Sequence, residues 1–296
     1  MSLRNKKARQ SGFLAFCVLP SVIVYCLFLV YPTLNVFSTS FFSWSGLSQQ
    51  KRFVGVENFV RLMHDKNFWT AFKNTVFLLI VVTLITLAIS LFFAYALNRC
   101  KLREKKLYRI LFFFPNVLSV VVIGTLFKNI YNPNSGILNS MLRSIGLDSL
   151  CHAWLGEKQT VLWAIVVAML WQAFGYYMVM YIAGMDSISP ELYEAAEIEG
   201  ASKRQQFFKI TVPMMWEIIR ITLVFSITAT INMSFLFVSV MTKGGPSGSS
   251  EVLLSYMYTQ AFTNANFGYA MAIAVVIFLM CFLLAVTINV LTRQKD

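Results

Sequence analysis

The sequence predicts an all-α integral membrane protein of six transmembrane helices, with the N and C termini cytoplasmic. Three observations predict this class. Of 296 residues, 57% are apolar and only 13% charged, against about 25% charged in an ordinary soluble chain. Six apolar stretches are each long enough to cross a hydrocarbon core as helix. Lys and Arg gather in alternate connecting segments, which sets orientation.

The first span, about 12–38, follows Arg4, Lys6, Lys7 and Arg9. Its apolar run is too long for a cleaved signal, and no clear small-x-small site follows, so it is expected to remain as a helix. The second span, 71–97, ends in the basic run 98–106. The third, 110–130, contains Phe114-Pro115 near its start and leads to the turn residues Asn132-Pro133-Asn134-Ser135-Gly136. The fourth is 160–183, and a polar segment, 186–213, separates it from the fifth, 214–241. Gly244-Gly245-Pro246-Ser247-Gly248 forms a second turn, and the sixth span is 267–291. The outer loops are short, so residues 1–296 read as a single membrane domain.

With the N-terminus inside, the inner segments hold about twice the Lys and Arg of the outer ones. Segment 186–213 is then cytoplasmic. The net charge of +12 lies in short runs beside apolar spans, which argues for membrane orientation and against nucleic acid. Cys17, Cys26, Cys100, Cys151 and Cys281 are scattered and lack metal or disulfide spacing. The two histidines, His64 and His152, lie in connecting segments. No catalytic, cofactor or metal site is legible, so the chain is expected to be no enzyme.

Segment 186–213 carries its own helix signals. Ser189-Pro190-Glu191 reads as an N-cap, a first-turn proline and an acid near the positive end of the dipole. Leu192, Ala195, Ala196 and Glu199 share one mostly small face. Gly200 ends this helix, Ser202 with Gln205 starts another as a capping box, and Pro213 breaks it. Glu191, Glu194, Glu197 and Glu199 make the first helix acidic. Anionic lipid would repel it, so the segment is expected to dock on a protein.

Its spacing resembles the EAA loop, EAA-x3-G-x9-I-x-LP, of permease subunits in binding-protein-dependent ABC importers. Glu194-Ala195-Ala196, Gly200, Ile210 and Pro213 match it, with Val212 where Leu is usual. Residues 191–201 are similar to the maltose and glycerol-phosphate branch. Gly244-Gly245-Pro246, Ala261-Phe262, Phe267-Gly268-Tyr269-Ala270 and Phe114-Pro115 extend the resemblance over roughly 12–291. It implies a type I ABC importer permease of the bacterial or archaeal cytoplasmic membrane, with 186–213 as coupling loop. It also implies a second, related permease subunit, two cytoplasmic ATPase subunits and an extracytoplasmic solute-binding protein. ATP and Mg would be held by the ATPase subunits. Glu194 would pair with the ATPase, and Gly200 would permit close approach.

The span interiors hold almost no ionisable groups: Glu217 and Arg220 lie near the inner end of the fifth, Lys73 near an outer end. An ion-coupled transporter normally needs acids or broken helices near the midplane, so energy is expected from a partner. Uncharged polar groups recur instead: Asn116 and Ser119; Gln172, Tyr176 and Tyr177; Ser226, Thr228, Thr230, Asn232 and Ser234. Such groups suit a sugar or oligosaccharide. They serve equally as packing groups between helices in lipid. Counted from the motifs, the sugar contacts of the maltose-type permease fall near Asn116, Gln172, Ala173, Tyr176, Ser226, Ala229 and Thr230. Only the serine and tyrosine types are retained there, so the solute is not read in the same way. The expected pathway residues are Asn116, Gln172, Tyr176, Ser226, Thr230 and Asn232. An ion-coupled carrier, or an importer permease for a non-sugar solute, is the alternative.

Overall fold

The computed structural model describes residues 14, 16–99 and 104–292. Arg4, Lys6, Lys7, Arg9, Cys100, Lys101, Arg103, Arg293, Lys295 and the start of the first predicted span lie outside the described residues. Among the described residues, five helices are long and apolar enough to cross a membrane: Phe16–Thr39, Lys66–Arg99, Val161–Met185, Trp216–Met241 and Phe267–Thr292. A broken pair, Lys105–Val117 and Val120–Ile130, bent by 99°, passes the same test only when its two pieces are taken together, which brings the candidate spans to six at most.

That break corrects one expectation. Residues 110–130 are not a continuous rod. Pro115 sits inside the first piece and cannot donate its backbone bond. Leu118 and Ser119 are extended, and the Ser119 hydroxyl caps the second piece by accepting from Val122 N. Ser119 thus serves as a helix cap. The pieces have 13 and 11 residues, or about 20 and 17 Å at 1.5 Å per residue. Neither alone spans the ~30 Å core.

The chain forms two compact units. The first comprises Met1–His64 and Met257–Phe278. Here a two-residue antiparallel ribbon, Phe42–Ser43 with Arg52–Phe53, is the only strand pairing among the described residues. Asn58 Nδ2 donates to the carbonyls of Ser40 and Phe42 at 2.8 and 3.0 Å, holding helix Glu57–His64 to the ribbon. The Arg61 guanidinium lies 4.5 Å from the Tyr269 ring centre.

The second unit comprises Asp65–Tyr256 and Leu279–Asp296. Helix Lys66–Arg99 packs along Val161–Met185, and Ser90 Oγ donates to Phe174 O at 2.7 Å. Gly175 lets the Phe112 carbonyl approach helix Val161–Met185 so closely that a Cβ would collide with it. Two apolar cores result. One gathers Leu78, Ile123, Ile165, Met169 and Phe237. The other gathers Leu87, Ala94, Met178, Tyr181 and Met215. Helices Lys66–Arg99, Val161–Met185 and Trp216–Met241 each carry polar residues between these cores.

Candidate functional site

A cavity of about 270 Å³ opens between the two cores. Asn116, Gln172, Tyr176, Ser226 and Thr230 all line it. These five come from three helices, so the chain brings together residues far apart in sequence. Val82, Thr83 and Thr86 add a wall from helix Lys66–Arg99, which the sequence reading missed. Ser226 Oγ donates to Leu223 O at 2.9 Å, and the Thr83 and Thr230 hydroxyls lie 3.4 Å apart. The Tyr176 and Tyr177 rings meet edge to face at 5.3 Å. Among the described residues, no carboxylate, amine, guanidinium or imidazole lines the space. It offers amide, hydroxyl and phenol groups among apolar side chains.

Asn232 is not part of this lining. It lies on the exposed side of helix Trp216–Met241, where its Nδ2 donates to Thr228 O at 2.9 Å. Ile221, Phe225, Thr228, Asn232 and Leu236 form one exposed stripe of that helix.

The segment between the fourth and fifth spans folds as a hairpin of short helices. Pro190–Ile198 begins after Ser189, whose backbone is extended but whose side chain makes no cap bond. Gly200 adopts φ +79°, a left-handed conformation that L side chains resist. Gly200 N donates to Glu197 O at 3.0 Å and Ala201 N to Ala196 O at 2.8 Å, a Schellman closure of the helix. Ser202 and Gln205 then form the complete capping box of helix Lys203–Gln206. A wider turn, Phe207–Thr211, and the short helix Val212–Met214 with Pro213 lead into Trp216–Met241. Lys203 pairs with Glu197 and holds that carboxyl below its ordinary range, chiefly through the hydrogen bond it donates.

One residue in the acidic helix is buried, and the sequence reading passed over it. Tyr193 is 3% exposed. Its hydroxyl lies 3.0 Å from Thr211 Oγ1, and the Arg99 guanidinium sits 3.6 Å from its ring centre. Tyr95 Oη donates to Lys203 O at 3.0 Å and Asn98 Nδ2 to Asp186 Oδ1 at 2.6 Å. The hairpin is therefore bolted to the end of helix Lys66–Arg99. Glu194, Ala195 and Gly200 are left exposed, Ala196 half-buried, and Ile198 is 87% exposed. Ile210 packs on the core that holds Leu87, Ala94 and Met178, and Pro213 is exposed. A lone aromatic among acids and alanines was the available signal for Tyr193.

Membrane-length helices around an uncharged, mostly apolar cavity, with a bolted inter-span hairpin, fit a membrane transport protein. Residues 101–295 match the family described as binding-protein-dependent transport system inner membrane component. The chain is 38% identical to a probable ABC transporter permease protein, YurN, of Bacillus subtilis, over 92% of this chain and 93% of that one. It is 34% identical to the lactose transport system permease protein LacF of Rhizobium radiobacter, over 89% and 88%. Its fold matches a chain of a bacterial alginate ABC transporter solved with an alginate pentasaccharide-bound periplasmic protein. The TM-score there is 0.85 at 23% identity, covering 97% of this chain and 96% of that one. The chain belongs to the family of inner-membrane components of binding-protein-dependent transport systems.

Proposed function

We propose that this chain is one permease half of an ABC importer that carries a sugar or related polyol. The observation that carries the proposal is the uncharged cavity, walled by Asn116, Gln172, Tyr176, Ser226 and Thr230. The lactose permease named above supports the solute class.

The 186–213 hairpin is the coupling element of this reading. Glu194, Ala195, Ala196 and Gly200 meet a cytoplasmic ATPase subunit, with Ile210 and Pro213 setting the second arm. Two such ATPase subunits bind the ATP and Mg. A second related permease completes the pathway. The stripe with Thr228 and Asn232 supports that partner, since an amide and a hydroxyl facing hydrocarbon are costly. An extracytoplasmic binding protein delivers the solute. ATP-driven closure of the ATPase pair displaces the hairpin and, through Tyr95, Asn98 and Arg99, helix Lys66–Arg99. Coupling requires the nucleotide to prefer one facing by a few kcal/mol.

The test is to purify the chain with its neighbouring gene products and measure ATPase activity against a panel of binding proteins and sugars. Stimulation by binding protein plus a sugar is expected. Stimulation only by an amino acid, peptide or ion would defeat the carbohydrate assignment.

A further inference from the structure

The second helix contributes threonines to the cavity that the first reading of the polar groups did not include. Thr83 and Thr86 are 3% and 2% exposed, and both line the space. A buried threonine in a helix usually returns its hydroxyl to a carbonyl one turn back. Thr75 of this same helix does so, donating to Ala71 O at 2.8 Å, and Thr222 of the fifth span donates to Ile218 O at 2.9 Å. Thr86 does not. Its Oγ1 is buried and has no hydrogen-bond partner among the described residues. A buried polar group without a partner is costly, and the cost disappears when a ligand supplies the missing bond.

We infer that Thr86 is a solute contact: its unpaired hydroxyl binds a hydroxyl of the carried sugar, so the second spanning helix reads the solute together with the third, fourth and fifth. This rests on the carbohydrate reading above and deepens it. The position also matters mechanically. Tyr95, nine residues further along the same helix, lies about 14 Å from Thr86 along the axis, and is bonded to the coupling hairpin. One rigid element thus carries a solute contact at mid-depth and the hairpin anchor at its end. Solute occupancy at Thr86 and displacement at Tyr95 bias the same body.

The test uses the whole complex in proteoliposomes with its binding protein saturating, and whichever solute drives wild-type uptake. Thr86→Val keeps the shape and removes the hydroxyl; Thr86→Ser keeps the hydroxyl. Thr86→Val is expected to lower uptake about 5- to 10-fold, the worth of one hydrogen bond, while Thr86→Ser retains most of it. Wild type should also discriminate against one mono-deoxy analogue that Thr86→Val carries as well as the parent. Wild-type uptake by Thr86→Val, or equal loss in both variants, overturns the inference and leaves a packing role. A driving solute that is no sugar defeats the carbohydrate reading alone, and the same pair of variants then tests Thr86 with that solute.

Discussion

The Tyr193 hydroxyl and the Thr211 hydroxyl lie 3.0 Å apart, with both side chains buried. The two residues sit on opposite arms of the hairpin, so this bond closes the arms on each other. Tyr193→Phe should lower stability by about 1 kcal/mol through the lost bond. Tyr193→Ala should cost about 3–5 kcal/mol by emptying the space under Arg99. Thermal unfolding of the purified complex measures both. In transport assays, Tyr193→Ala should raise the ATP consumed per solute carried. An unchanged ratio would show that the arms transmit force without this clasp.

Gly200 and Glu194 separate backbone strain from docking. A Cβ added at Gly200 meets nothing within 4 Å, so only its φ of +79° resists an alanine. Gly200→Ala should cost about 1 kcal/mol and leave transport partly intact. Gly200→Trp should abolish transport while ATP hydrolysis continues. Glu194→Lys changes an exposed residue and should leave stability within about 0.5 kcal/mol, yet uncouple the complex. Normal transport by either the tryptophan or the lysine variant would defeat the coupling assignment.

Gly175 answers to space alone. A methyl group there would meet the Phe112 carbonyl, a backbone atom that cannot rotate away. Gly175→Ala should destabilise by about 1–3 kcal/mol or more, read as a lower midpoint in thermal unfolding. An unchanged midpoint would mean that the third span withdraws from the fourth at no cost.

Glu251 gives a pH signature. Burial pushes its carboxyl above the ordinary range, against a 2.6 Å hydrogen bond from Ser255 Oγ. The folded state therefore holds this proton more tightly than the unfolded chain does. The ionised form burdens the fold above the folded pKa, and the burden lifts as pH falls through it. Glu251→Gln keeps an acceptor for Ser255 and removes the charge. Its melting temperature should match or exceed wild type at pH 8, with the gap closing toward pH 4. A variant less stable than wild type at pH 8 would contradict this.

The spans were legible because lipid demands some twenty apolar residues in a row, and little else satisfies that demand. The hairpin was legible for a similar reason: Gly200 and the Ser202–Gln205 pair are local signals that act through their own backbone. The break after Val117 was not, because proline is tolerated in many straight spans and its effect depends on neighbours. That Asn232 lies outside the cavity was hidden for a different cause. Helix Trp216–Met241 is apolar nearly all round, so nothing in its sequence says which of its polar residues face the cavity. Thr86 was passed over since threonine in lipid normally bonds its own helix. Tyr193 escaped because the small residues of its helix drew the attention, although the tyrosine is what anchors it.

The halved third crossing bears on how the protein is made. A nascent chain stopped before Val161 would offer the insertion machinery two stubs of 13 and 11 residues separated by a sharp corner. Neither stub can hold itself in hydrocarbon. Val161–Met185, which receives the Phe112 carbonyl at Gly175, and Trp216–Met241, on which Val120–Ile130 packs, are both synthesised later. The two stubs gain their packing partners only once helices later in the chain have been made.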